Sequence, residues 1–155
     1  MPDLRVNEPV DGMIVRLGAQ RYVLPLASVV ETVRPERDQI RPLSDAAGMI
    51  ELRGRYLPVC RIADLLGIDT GAMRPAEESV IIIVETNHAG LFGLMADTIE
   101  NRCDVLLRPL EENLHPVRGL AGVTVLDGDA IALILDIEAM VADARARHPD
   151  TGMAA

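Results

Sequence analysis

Short runs of β-branched and aliphatic residues, cut by glycine and proline, recur along this chain and predict strands over most of its length. Ile14-Val15-Arg16-Leu17 and Arg21-Tyr22-Val23-Leu24 flank Gly18-Ala19-Gln20 as the arms of a hairpin, and Pro25 ends the second arm. Val29, Val30 and Val33 form a further β-branched stretch before Pro35. Segment 35–48, with two prolines, Asp38, Ser44 and Asp45, reads as loop. A second hairpin joins Met49-Ile50-Glu51-Leu52 to Tyr56-Leu57-Pro58-Val59-Cys60 through Arg53-Gly54-Arg55. Pro58 has no N–H for a ladder, which predicts an edge or a bulge there.

Ile62, Leu65 and Leu66 fall at helical spacing, and Gly67 is a suitable stop for that short helix. Residues 68–78 read as a linker. Val80-Ile81-Ile82-Ile83-Val84 is apolar at every position. Side chains alternate across a strand, so such a run predicts burial on both faces, between two layers. Strands at 90–95, 98–107, 120–126 and 130–135 follow, the last two joined by a tight turn at Asp127-Gly128. Asp136 is placed to N-cap a closing helix over 136–146, whose Ile137, Met140, Val141 and Ala144 make one stripe. Residues 1–11 and 147–155 are expected to be flexible ends.

The two halves resemble each other. Pro25-Leu26-Ala27 through Ile40-Arg41-Pro42-Leu43 is echoed by Gly93-Leu94-Met95 through Leu107-Arg108-Pro109-Leu110, and 53–66 aligns without gaps onto 127–140. Each half reads as hairpin, crossover strand, loop, glycine hairpin and short helix. Five short strands per unit predict a small barrel, giving an all-β fold of two barrels on one shared Val/Ile/Leu core. The first barrel is expected over about 12–67 and the second over about 79–136.

Charge and composition narrow the function. A net charge of −9, 2% aromatic residues and the absence of a Lys/Arg cluster argue against nucleic acid, which needs cations for phosphate and rings for bases. Met1-Pro2-Asp3 does not open a signal peptide, and the longest apolar stretch is too short to span a bilayer, so a cytoplasmic location without membrane insertion is expected. Cys60 and Cys103 stand far apart, outside any zinc-ligand spacing. His88, His115 and His148 lack a second ligand or a carboxylate at base spacing, and Asp127-Gly128-Asp129 lacks the remaining ligands of a calcium loop. The pattern gives no catalytic residue, metal or cofactor; a thiol hydrolase using Cys60 or Cys103 is the remote enzymatic alternative. A small RNA-binding barrel is disfavoured by the acidic balance. Arg53, charged and beside a glycine tip, has no internal partner visible in the sequence.

Leu52-Arg53-Gly54, Leu57-Pro58-Val59 and Asp64-Leu65-Leu66-Gly67, in that order, resemble the CheW-like domain family. That family comprises the chemotaxis coupling protein CheW and the C-terminal regulatory domain of the histidine kinase CheA. Asp11-Gly12-Met13, Tyr22-Val23-Leu24-Pro25-Leu26, the stretch 119–128 and Ala132-Leu133-Ile134-Leu135-Asp136 are closer to the CheA version. The resemblance runs over about 12–142. It implies two five-stranded SH3-like barrels side by side, and a non-catalytic adaptor coupling methyl-accepting receptors to CheA at membrane receptor arrays. The alternative is an excised CheA regulatory domain that binds CheW and receptors. By position it carries over Val29 and Glu31 as a receptor- or partner-contacting stretch. Gly48 and Arg53 match sensitive positions flanking a hairpin, and Gly93, Asp97 and Ile99 match the second side of a groove between the barrels. Arg102 stands where coupling proteins carry an aliphatic residue.

Overall fold

A computed structural model describes residues 8–36, 39–42, 47–67, 78–87, 90–108, 119–126 and 130–147. Strands β1 (Glu8–Leu17) and β2 (Gln20–Pro25) form the first hairpin, and a single 3-10 turn, Leu26–Ser28, leads into β3 (Val29–Val33). Then come β4 (Ile40–Pro42), β5 (Ala47–Leu52), β6 (Arg55–Arg61) and helix α1 (Ile62–Leu66). The second half runs β7 (Val80–Thr86), β8 (Gly90–Ala96), β9 (Thr98–Leu107), β10 (Leu120–Val125), β11 (Ile131–Leu135) and α2 (Ile137–Arg147). The expected terminators act where the sequence put them. Gly67 takes the left-handed conformation that ends α1, and the Asp136 carboxylate accepts the Ala139 N–H at 3.1 Å to cap α2. The Asp127-Gly128 turn, the three histidines, residues 68–77 of the linker and both expected flexible ends fall, wholly or mostly, outside the described residues.

The strands pair into two sheets, of orders β10-β11-β2-β1-β9 and β3-β7-β8-β6-β5-β4. The mainly β architecture of two adjoining units is as expected, but the division is not. The boundary at 68–78 does not separate the sheets: the first takes β1, β2, β9, β10 and β11, and the second takes β3 to β8. The chain changes sheet after β2 and again after β8, so each hairpin receives the other half's crossover strand. β3 pairs antiparallel with β7, and β9 pairs antiparallel with β1. Two parallel contacts, β6 with β8 and β11 with β2, complete the same exchange.

Closure also differs from the expected pair of five-stranded barrels. The five-stranded sheet is joined end to end by one bridge, in which Arg108 and Val123 exchange N–H···O bonds of 2.9 Å. In the six-stranded sheet the two end strands, β3 and β4, are consecutive in the chain, and residues 34–36 around buried Pro35 are not strand, whereas β9 runs on as one long strand. Pro58 is a second correction. It lies within β6, which has neighbours on both sides, but the parallel ladder to β8 starts at Val59, so no N–H is needed from Pro58 on that side.

Burial follows the alternation. From β7, Val80, Ile82 and Val84 enter the core shared by the sheets, while Ile81 and Ile83 fill the interior of the six-stranded sheet. From β1, Met13, Val15 and Leu17 enter the shared core, and Ile14 fills the interior of the five-stranded one. Tyr22 and Phe92, two of the chain's three aromatic residues, meet in the shared core from equivalent positions on β2 and β8. Tyr22 burial pushes its phenol pKa above the ordinary value. Each large aliphatic side chain buried here contributes about 1.5–3 kcal/mol.

Ile82→Asp is expected to abolish cooperative folding: an unpaired buried charge costs at least about 3–5 kcal/mol against a total stability of about 5–15 kcal/mol. Circular dichroism and a urea melt would check this, with a wild-type-like midpoint refuting two-sided burial of β7.

Candidate protein–protein interface

The tip of the β5–β6 hairpin is a two-residue turn with Arg53 at φ 53° and Gly54 at φ 81°. Positive φ at both positions marks a type I′ turn, whose twist matches the strands it joins. Glycine tolerates this conformation freely, whereas arginine does not, so the side chain is what Arg53 contributes. Its guanidinium reaches β3 and grips the Glu31 carboxylate with both terminal nitrogens, one of the contacts at 3.5 Å. That hydrogen bond and the charge of Glu31 hold the Arg53 pKa above its ordinary value. Arg53 is 70% exposed, so water screens the pair and it adds little to stability. Its effect is to fix a charged rim.

Below that rim lies a shallow cleft of about 90 Å³, in which apolar Val30, Leu52, Leu57, Ile83 and Leu91 are joined by charged Glu31, Arg53 and Arg55. Val30 is the extra residue of a β-bulge: Val29 pairs with Val84 and Glu31 with the adjacent Ile83. A bulge re-aims one side chain, and here it leaves Val30 half exposed at the cleft mouth.

A second cluster sits on the five-stranded sheet. Glu100 accepts from Arg16 Nε at 2.5 Å and pairs with Arg21 Nε at 3.1 Å. Asp97, in the crossover between β8 and β9, accepts the Gly18 N–H at 2.8 Å and donates its own N–H to the Arg16 carbonyl at 3.0 Å. It ties the crossover to the β1–β2 turn. Beside it is a wider cleft of about 440 Å³, lined by Ile14, Arg21, Glu100, Asn101, Cys103 and Leu126.

The residues carried over by resemblance divide into three groups. Glu31 and Arg53 meet in one ion pair. Val29 opens β3 and Ile99 is the second residue of β9; both pack partly against the shared core and hold equivalent pairings, with Val84 and Val15, and Asp97 lies just before β9. Gly48 and Gly93 are buried, not at a surface. A Cβ on Gly93 would come within 2.9 Å of Val59 and 3.0 Å of Ile81, so packing accounts for its glycine. Sequence reasoning missed Val30, Leu52, Ile83 and Leu91, which four different strands bring together, and the Arg16–Glu100–Arg21 cluster. Cys60, only 2% exposed in the shared core, is out of reach of any substrate. Among the described residues no group of acidic, histidine and cysteine side chains could hold a metal, and no helix is long and apolar enough to cross a membrane.

The family model for the CheW-like domain matches residues 11–145, taking in both sheets and both crossovers. The chain belongs to the CheW-like domain family. The curated relatives similar to this CheW-like chain include the chemotaxis protein CheA of Rhizobium meliloti, 34% identical over 94% of this chain and 19% of the relative. CheA of Cereibacter sphaeroides is 34% identical over 85% of this chain and 19% of the relative. The chain therefore spans about a fifth of the length of these relatives. The scaffolding protein CheW of Thermoanaerobacter tengcongensis shares the fold, with a TM-score of 0.68 at 22% identity, over 85% of this chain and 92% of that one.

Two substitutions separate surface from packing roles. Arg53→Asn keeps a residue suited to the turn but removes the guanidinium; the urea midpoint is expected to stay put while partner binding weakens. Gly93→Ala is expected to lose about 1–3 kcal/mol by overpacking, measured in the same melt.

Proposed function

We propose that this CheW-like domain is a non-catalytic adaptor of chemotaxis signalling that couples methyl-accepting receptors to the histidine kinase CheA. The observation carrying this reading is the family match over residues 11–145, which takes in strands of both sheets. The Val30–Leu91 cleft with its Arg53–Glu31 rim supports it, because a small apolar depression edged by charge has the anatomy of a protein-docking site. Binding would take place in the cytoplasm, at receptor arrays, through contacts alone and without a cofactor.

A second reading has its own support. The relatives at 34% identity are CheA proteins. On that reading the domain is the regulatory module of a CheA-type kinase, binding CheW and receptor tips.

Calorimetric titration of this chain with CheW and, separately, with a CheA regulatory domain from the same organism tests both. A dissociation constant of about micromolar size toward the CheA domain supports the coupling protein. Preference for CheW supports the kinase module. No heat with either partner refutes both readings.

A further inference from the structure

Alternation along β1 and β2 decides what lies inside the five-stranded sheet. Ile14 and Val23 are cross-strand partners in its apolar interior. Two residues further on, on the same face, the next partners are Arg16 and Arg21. Cys103 and Val105 of β9 also reach the interior, and Asn101, opposite Ile14, continues their row. The interior therefore ends in a polar layer at one mouth. By the same alternation Arg102 and Asp104 face away from it, and both are exposed.

Arginines directly opposite each other repel. Glu100, the extra residue of the β9 bulge, lies between them and pairs with the Nε of both. The layer carries two guanidiniums and one carboxylate, which leaves one positive charge over. Among the described residues each guanidinium meets Glu100 through Nε, so the terminal nitrogens of Arg21 remain for another acceptor. Arg21 lines the cleft of about 440 Å³ at this mouth. Ile14, Cys103 and Leu126 line the same cleft from the apolar interior, and Glu100 and Asn101 from the rim. Small-molecule sites occupy about 300–1,000 Å³, favour barrel mouths and join an apolar wall to a few polar groups. The cleft on the six-stranded sheet, at about 90 Å³, is too small for that role.

We propose that the mouth of the five-stranded sheet binds a small carboxylic acid with a short apolar tail. The planar fork of Arg21 suits a carboxylate, and the Asn101 amide supplies a further donor at the rim. Ile14, Cys103 and Leu126 receive the tail. Glu100 orders the arginines but also repels the incoming anion, which keeps binding weak and readily reversible. The site needs no partner protein and is independent of the coupling reading.

Proton–nitrogen correlation NMR of the chain at neutral pH, titrated with sodium hexanoate, is the test. Saturable shifts are expected at the amides of Ile14, Asn101 and Leu126, with a dissociation constant of about millimolar size. Acetate lacks the tail, hexanol lacks the charge, and inorganic phosphate replaces the carboxylate. Each is expected to bind at least about fivefold more weakly. Arg21→Gln is expected to weaken hexanoate by at least about fivefold. Glu100→Gln removes the competing carboxylate and is expected to tighten it at least about twofold. Shifts that fail to saturate, or that lie away from this mouth, overturn the proposal. Equal binding of acetate, hexanol or phosphate overturns it too, as does a folded Arg21→Gln or Glu100→Gln with wild-type affinity. Should both variants misfold by circular dichroism, the four probes on the wild-type chain decide alone.

Discussion

Burial of β7 and β1 on both faces is the constraint from which the architecture follows. A strand whose successive residues all enter apolar surroundings needs a core above and a core below. Val80, Ile82 and Val84 face the shared core, and Ile81 and Ile83 the interior of their own sheet. Neither sheet could hide these residues alone, because a single sheet of this size has only one interior. The second sheet is therefore part of the folding unit and not an appended domain.

Exchange of the crossover strands makes that dependence structural as well as energetic. Each half of the sequence lends one strand to the hairpin of the other, so neither sheet can be completed from one half. Both passages between sheets are short: the Leu26–Ser28 turn in one case, Asp97 alone in the other. Short passages leave the chain no freedom to separate the sheets, and the Asp97 carboxylate adds a local tether to Gly18. Surfaces on both sheets are thereby held in fixed relation, which a docking protein needs if binding at one end is to be felt at the other.

Much of this was legible in the sequence, for identifiable reasons. The run Val80–Val84 announced its two-sided burial, and Asp136 and Gly67 announced helix ends, because each of these signals is local. The echo of Ile40-Arg41 at Leu107-Arg108 is real in three dimensions, since Arg41 pairs with Met49 as Arg108 does with Val123, at matching points of β5 and β10. The echo of 53–66 at 127–140 is one residue out of step. Val59 matches Ile134 by strand pairing, and α1 and α2 start one residue later relative to the alignment. An ungapped match cannot detect this slip, yet a one-residue slip turns every strand side chain to the other face. The strand exchange escaped for a different reason. It is a choice of partner, and hairpin and crossover strands have the same local pattern whichever sheet receives them. The clefts were invisible because a bulge leaves no residue-type signature: Val30 looked like one more strand valine.

Arginine and glycine illustrate how function and packing can be confused when residues are carried over by position. Gly48 and Gly93 were carried over by resemblance as site positions, but both are buried in sheet pairings, and a Cβ on Gly93 would meet Val59 and Ile81. A substitution there would disturb any docking surface indirectly, by moving the strands that carry it. Arg53 is the reverse case. Its backbone conformation disfavours it, its exposure denies it a large share in stability, and its one strong contact fixes Glu31 beside an apolar cleft. A residue that costs the turn something and returns little to the fold is best explained by what it presents to another molecule.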